Sequence, residues 1–546
     1  MAAKLKHIAI KDNEHKLLKT FIKWVKENLL IQFDKVPFFW LVLNKTKSCC
    51  LFSSLLQKRK KNYNKKIAIE NKLKSKICEY YKKGTRKPIT KIYEKRFSNN
   101  KKALFKFIDK CPEVLLGIKD DNKRSTLLSQ YLHKRYFANS DVLSICHFLG
   151  VNGYLKENVK YYSKLIHRKK VRTLGKPALP FRVLPYYWVE RIGHFAFLDS
   201  LLKMSELGWI KKEKLVLLAP EEKISNFTLL NLYKKYFKVV AQSQEEIKYY
   251  SAFSRVPEDV FFGPFEKKPN VYSWWISEGM NVQQEWIKMG KKPLIMLNSS
   301  QIERGKRELL KMGISKNDWF VCIHARSSVF HSDKYDPNQT WRDSDISSFN
   351  KGIKDVVEKG GYIVRLGDNQ QKPLDIRHRR IIDYALSKYR SDFMDVFLIS
   401  ACKFMISGNS GIGTVKMLFG GASAAVNYIP LGNELFINDG CFLPKLIWCK
   451  NKRRYLSFSE MMAPPLGTTH SPFAFDGKRI RDNSQDEIKE LILEMFERSN
   501  NAFQYSDYEK KLQDTFQNIR KDNNVACNAP VGRSFLKKYK SLLQKQ

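Results

Sequence analysis

The 546-residue chain has ten cysteines, at 49, 50, 78, 111, 146, 322, 402, 441, 449 and 527, yet no C-x-x-C pair and no cysteine at metal spacing from a histidine. Neither a zinc site nor a disulfide scaffold is expected, and a reducing compartment fits best. Nowhere do eighteen apolar residues run together, so no spanning helix is expected. The opening "MAAKLKHIAIKDNEHK" lacks the apolar centre of a secretory leader. Repeats and low-complexity tracts are missing as well. Above all the chain is short of negative charge: 54 Asp and Glu stand against 99 Lys and Arg, a net charge of +45.

The deficit is uneven, because residues 1–180 hold 43 Lys and Arg against 13 Asp and Glu. A surface that basic attracts phosphate-rich polymers, anionic lipid or an acidic substrate, unless the lysines only solvate a surface. The stretch "VPFFWLVLNKTKSCCLFSSLL" (36–56), followed by "QKRKKNYNKK", suits an anionic membrane interface, with aromatics dipping in and lysines on head groups. A buried helix pair with a basic surface is the alternative for the same residues.

Residues 1–175 read as a basic, mostly helical extension, with segments such as "HKLLKTFIKWVKENLL" placing apolar residues at helical spacing. "GKPALPFRVLP" (175–185) carries three prolines and marks a boundary. Short apolar runs then alternate with helical stretches. "KLVLLAP" (214–220), "YFKVVA" (236–241) and "PLIMLN" (293–298) predict strands of one α/β domain over 181–300. "WFVCIHAR" (319–326), "GYIVRLGD" (361–368), "FMIS" (404–407) and "SAAVNYI" (423–429) predict a doubly wound parallel sheet over 301–500. A polar tail is expected over 501–546.

In such a sheet ligands sit beyond the carboxyl ends of the strands. One strand ends in His324 and Arg326, the next in Arg365 and Asp368, the third in Asn409 and Ser410, so a shared cleft is expected. Arg326 offers a planar fork to a diphosphate. The loop Gly408–Gly413, with Gly408, Gly411 and Gly413, lets backbone amides approach the same charge. Asp368 or Asp395 is placed to accept from a nucleobase amino group. In "RIGHFAFLDS" (191–200), Gly193 and His194 mark the acceptor side, His194 being the candidate base. Each has a duller role open to it: His324 as a hydrogen-bonded core group, Arg365 as a structural bridge across strands, Asp395 as a lysine's partner, Asp345 as a helix cap.

The motifs "VCIHARSS", "GGYIVRLGD" and "SDFMDVFLISACKFMISGNSGIGTVKMLFG" resemble a bacterial family of glycosyltransferases encoded with surface-polysaccharide genes. More distantly they resemble the fucosyltransferase superfamily, with its H-x-R-R-x-D strand end. The close match runs over 185–450. The resemblance implies the GT-B fold of two Rossmann-like domains and a nucleotide sugar, GDP-linked in most members, in the C-terminal one. By that resemblance Arg326 binds the β-phosphate, His324 lines the donor site, Asp395 contacts the base, and Asn409, Ser410 and Gly411 hold the pyrophosphate. Where the superfamily pattern has two arginines and an acid, this chain has Ala325, Arg326, Ser327 and Ser328. Fucose is therefore not assumed.

The expectation is a cytoplasmic glycosyltransferase, peripheral on the inner face of the membrane, needing no cofactor or metal. Its partners would be a nucleotide sugar donor, a polysaccharide or lipid-linked glycan acceptor and an anionic membrane surface. Two alternatives compete. A metal-dependent enzyme would use Asp343-x-Asp345 in "RDSDISSF", although these acids open a helix rather than end a strand. A basic membrane- or nucleic-acid-binding module would carry an inactive α/β domain, but no nucleic-acid motif is present and nucleic acid is not the expected partner.

Overall fold

The computed structural model describes residues 68–77, 86–108 and 181–544, apart from 252–261, 266–267, 275–278, 328–336, 433–436, 438, 464–465, 468–476, 524 and 526–528, together with residues 79, 114, 118 and 127. The chain divides into two compact units, Met1–Lys76 and Ile77–Gln546. The stretch 36–56 lies outside the described residues. No helix among the described residues is long and apolar enough to cross a membrane.

In the second unit, helices α1 (Arg86–Arg96) and α2 (Lys101–Ile108) bury Ile89, Tyr93, Leu104 and Ile108. Phe97 and Phe107 stack at 5.1 Å beside them. Strands β1 (Phe181–Leu184), β2 (Lys214–Leu218) and β3 (Val239–Ala241) form a parallel sheet in that order. It is accompanied by α3 (His194–Glu206) and α4 (Phe227–Tyr233), the latter capped by the Asn226 side chain accepting from the Leu229 N–H. An antiparallel hairpin follows, β4 (Phe262–Phe265) with β5 (Lys268–Trp274). The expected strand 293–298 is not one. Asn298 instead closes a capping box on α5 (Ser299–Lys311), and Met296 stands 62% exposed.

The second half holds six parallel strands: β6 (Phe320–His324), β7 (Tyr362–Arg365), β8 (Ile381–Ile382), β9 (Met405–Ser407), β10 (Ser423–Tyr428) and β11 (Phe442–Pro444). Their order is β11-β10-β9-β6-β7-β8. All five residues of β6 are buried, the continuous apolar run of a strand covered on both faces. Alternate residues feed opposite layers. Val321, Ile323, Ile363 and Ile406 join a core with α6 (Asn350–Glu358) and the C-terminal helices, whereas Phe320, Cys322, Val364 and Met405 join a core with α7 (Asp392–Ala401). That second core continues without interruption into Leu184, Phe195, Leu201, Leu217 and Leu229 of the first half. Asp392 ties the halves further, its Oδ2 accepting from the Phe227 N–H at 2.8 Å and its carbonyl from Asn226 Nδ2 at 3.0 Å.

A small antiparallel sheet, β13 (Arg454–Tyr455), β12 (Leu446–Cys449) and β14 (Lys478–Arg481), follows the six strands. The polar tail expected over 501–546 is instead folded onto them. After α8 (Gln485–Ser499), helix α9 (Asp507–Asp522) buries Phe516 and Ile519, and α10 (Arg533–Lys538) buries Phe535 and Leu536. Arg520, 1% exposed, donates to the Ala529 carbonyl at 2.7 Å. The segment is polar in composition because each helix turns only one stripe inward.

Candidate active site

The chain runs β6→β7→β8 toward one edge of the sheet, then returns and runs β9→β10→β11 toward the other. The direction reverses between β6 and β9, and a doubly wound sheet opens its ligand crevice at the carboxyl end of that reversal. His324 pairs in register with Ser407 there, and the Gly408 N–H donates to the His324 carbonyl at 2.8 Å. The residues following both strands, Ala325-Arg326 and Gly408–Gly413, are thereby brought side by side.

Arg326 is 14% exposed and pairs with Asp343 from the loop that crosses the strand ends. That loop is fixed through its backbone: the Asp343 N–H donates to the Thr340 carbonyl and the Ser344 N–H to the Arg326 carbonyl, each at 2.9 Å. Lys445, at the junction of β11 and β12, donates to the Asp343 carbonyl at 2.7 Å and reaches Asp482 at 2.8 Å. Arg342 donates to the Asn409 carbonyl at 3.1 Å. Its guanidinium is pushed down to about 10, chiefly by burial, with the charges of Arg326 and Arg191 adding to the effect and Tyr428 and Asp343 opposing it. Arginines 326 and 342 from the second half thus share a field with Arg191 from the first. Asp343 also borders an open pocket of about 470 Å³, lined in part by Trp341, Lys445 and Asp482. Ligand pockets span roughly 300–1,000 Å³.

The glycine loop has a packing explanation at each glycine. A Cβ on Gly411 would lie 2.9 Å from the Cα and N of Gly193, so the two halves meet there backbone to backbone. Gly413 packs onto Ser407 and Gly408 onto Ser344. The N–H groups of Ser410 and Gly413 are engaged inside the loop, with the carbonyls of Gly408 (2.7 Å) and Ser410 (3.1 Å). Asn409 turns its side-chain amide onto the Ile429 carbonyl. The loop is therefore a seam between the halves as much as a cradle.

The other candidates separate into two groups. His324 stays with Arg326: it is 7% exposed, and its Nδ1 is buried without a hydrogen-bond partner among the described residues. Arg365, 2% exposed, holds Asp383 at 2.6 Å and the Lys372 carbonyl at 2.8 Å, and its charge reaches His324. Asp368 and Asp395 lie along the β7 side. Asp368 sits 3.7 Å from Arg390 and accepts from the Gln370 N–H, while Asp395 accepts from the Tyr384 hydroxyl at 2.8 Å. His194 is 9% exposed, sandwiched by Tyr187 (4.2 Å) and Phe197 (5.5 Å), with Nδ1 on the Tyr187 carbonyl. Asp345 caps the turn Ile346–Phe349, accepting from the Ser347 N–H at 3.0 Å, and Asp343 is engaged by Arg326, so the two acids of the D-x-D pattern have separate tasks.

Arg191, Arg342 and Lys445 were not singled out by sequence. Lys445 had a signal, a lone charge between the apolar runs "CFLP" and "LIWC". Arg191 and Arg342 sit in irregular segments with no periodicity to mark them.

The two buried histidines make a pH prediction. His194 is held down to about 4 by burial, with the Tyr187 carbonyl opposing and Arg191 adding. His324 is held down to about 4 by burial, then by Arg365 and Arg326. Between pH 6.5 and 4 the unfolded chain takes up both protons and the folded one resists. The stability these groups contribute is therefore full above 6.5 and lost as pH falls toward 4, on the order of 3 kcal/mol each. Asp395 works the other way, since burial raises it to about 6 against the pull of Tyr384 and Arg390, so its contribution disappears as pH rises through 6. The net expectation is a loss of about 3 kcal/mol on acidification, one histidine's worth. Denaturant midpoints at pH 6.5 and pH 4 measure it, and His324→Asn should flatten the difference; equal midpoints for the wild type would contradict it.

No family model and no curated protein matches the chain. Among solved structures the chain is similar to E. coli ADP-heptose LPS heptosyltransferase II, at 11% identity over 45% of this chain and 84% of that one, TM-score 0.26. It is similar to the dodecameric iron-containing heptosyltransferase TibC in complex with ADP-D-beta-D-heptose, at 11% identity over 47% and 61%, TM-score 0.27. It is also similar to Methanocaldococcus jannaschii UDP-GlcNAc 2-epimerase in complex with UDP-GlcNAc and UDP, at 12% identity over 53% and 70%, TM-score 0.16.

Proposed function

We propose that this protein is a glycosyltransferase that moves a sugar from a nucleoside-diphosphate donor, GDP-linked in the first instance, to a surface polysaccharide or lipid-linked glycan. The observation that supports this is the concentration of Arg326, Arg342 and Arg191 at the carboxyl edge of a doubly wound sheet, at the point where its strand order reverses. As the bond from the sugar's anomeric carbon to phosphate breaks, negative charge grows on the departing diphosphate. Guanidinium groups gathered there, Arg342 on the Asn409 carbonyl and Arg326 beside Asp343, are suited to meet that charge, and one well-placed donor is often worth about 3–4 kcal/mol. Arg326 takes the leaving phosphate in this scheme, with Arg342 on the Asn409 side. His324 lines the donor site, Asp395 or Asp368 takes the nucleobase, and Gly193 and His194 face the acceptor. With its basicity held down to about 4, His194 is suited to orient an acceptor hydroxyl more than to deprotonate it.

A melting-temperature panel with GDP, UDP, ADP, CMP and dTDP tests the proposal. A nucleotide at 100 times its dissociation constant adds about 2.7 kcal/mol of stability. One responder whose effect is lost in Arg326→Ala is the expected result; silence from all five would leave the basic binding module as the better account.

A further inference from the structure

We propose that the pocket bordered by Asp343, Lys445 and Asp482 is a sugar subsite: it takes the glycosyl group of the donor, and its charge admits a neutral hexose and turns away a hexuronic acid. This rests on the reading of Arg326 as the diphosphate ligand and names the class of sugar that such a donor carries.

The position follows from the strand order. Asp368 lies past the end of β7, Arg326 past the end of β6, and Lys445 directly follows the last residue of β11. In the order β11-β10-β9-β6-β7-β8 these three places follow one another along a single edge, with Arg326 between the other two. A nucleotide sugar laid along that edge with its base toward β7 and its diphosphate at Arg326 carries its sugar toward β11. The pocket of about 470 Å³ adjoins that stretch, since Asp343, which borders it, pairs with Arg326, and Lys445 donates to the Asp343 carbonyl at 2.7 Å.

The lining decides the class of sugar. At Asp343 the balance of charge changes sign: Arg326, Arg342 and Arg191 give way to the carboxylates of Asp343, Asp345 and Asp482, with the Lys445 ammonium among them. An added carboxylate there meets more negative charge than positive. A neutral ring meets groups that suit its hydroxyls, carboxylate oxygens that accept and an ammonium that donates, with the Trp341 indole alongside as apolar surface. Asp482 is the most available of them, because it gives one oxygen, Oδ1, to Lys445 at 2.8 Å and is 47% exposed.

Calorimetric titration tests this with the nucleoside diphosphate that responds in the melting panel and with its own hexose and hexuronic acid esters; for GDP these are GDP-mannose and GDP-mannuronic acid. The wild type should bind the hexose ester roughly tenfold more tightly than the hexuronic acid ester, the scale of one like-charge contact in a partly exposed site. Two variants locate the effect. Asp482→Asn removes a charge and a hydroxyl acceptor, so it should weaken the hexose ester by roughly three- to tenfold and bring the two esters closer. Asp345→Asn keeps the turn's cap, since asparagine caps as well as aspartate, and should bring the esters closer through charge alone. Neither variant should change the affinity for the free nucleoside diphosphate by more than about twofold, whereas general damage to the site would lower it. A wild type that binds no nucleoside diphosphate removes the proposed function and this inference together. A wild type that binds it, but holds the hexuronic acid ester as tightly as the hexose ester, overturns the inference alone, as does a preference that both variants leave unchanged.

Discussion

Arg326→Ala is expected to lower sugar transfer by roughly 100- to 1,000-fold in kcat, the loss seen when one preorganised donor to a developing anion is removed. The effect belongs in kcat because a departing diphosphate carries more charge than the bound donor, so the missing guanidinium is felt most at the transition state. Folding should be little affected. Asp343 is 24% exposed, and its loop keeps its backbone anchors. A melting temperature within a few degrees of the wild type, together with the rate loss, is the expected pair of results. Transfer at the wild-type rate would show that the leaving group sits elsewhere.

Gly193→Ala is expected to destabilise the protein by about 3 kcal/mol, the upper part of the usual range for overpacking. Gly193 adopts φ −68° and ψ −21°, ordinary helical values, so an alanine there would gain about 0.4–1 kcal/mol from the stiffer unfolded chain if space allowed. Space does not allow it: the new Cβ would lie 2.6 Å from the Gly411 Cα. Neither side can yield by turning a side chain, because both are backbone. Urea denaturation measures the loss, and a variant as stable as the wild type would show that the backbones at Gly193 and Gly411 leave room for a methyl group. Nucleotide affinity should fall as well, since Arg191 precedes this contact and Asn409 and Ser410 flank it.

Much of the sheet was legible because β6, β7, β9 and β10 are apolar runs that end in polar residues, and burial on both faces demands that pattern. His324 and the loop after Ser407 meet at the carboxyl ends of two neighbouring strands, because the two apolar runs pair in register and stop together. "PLIMLN" misled because its apolar side chains serve a loop: Ile295 is buried, but Asn298 and Gln301 commit the next residues to a helix cap. The glycine loop misled in another way. Glycine marks any close backbone approach, whether to a phosphate or to another chain segment, and at Gly411 the neighbour is Gly193. Arg342 and Arg191 were invisible because nothing local announces which irregular segments will meet.

The apolar layer that runs unbroken from Leu184 and Phe195 to Phe320 and Met405 belongs to both sheets at once. A fragment cut near residue 300 would bare oily surface on each piece, so neither half should be obtainable as a well-behaved separate module. Scanning calorimetry of the second unit should then record one endotherm where independently folding halves would give two.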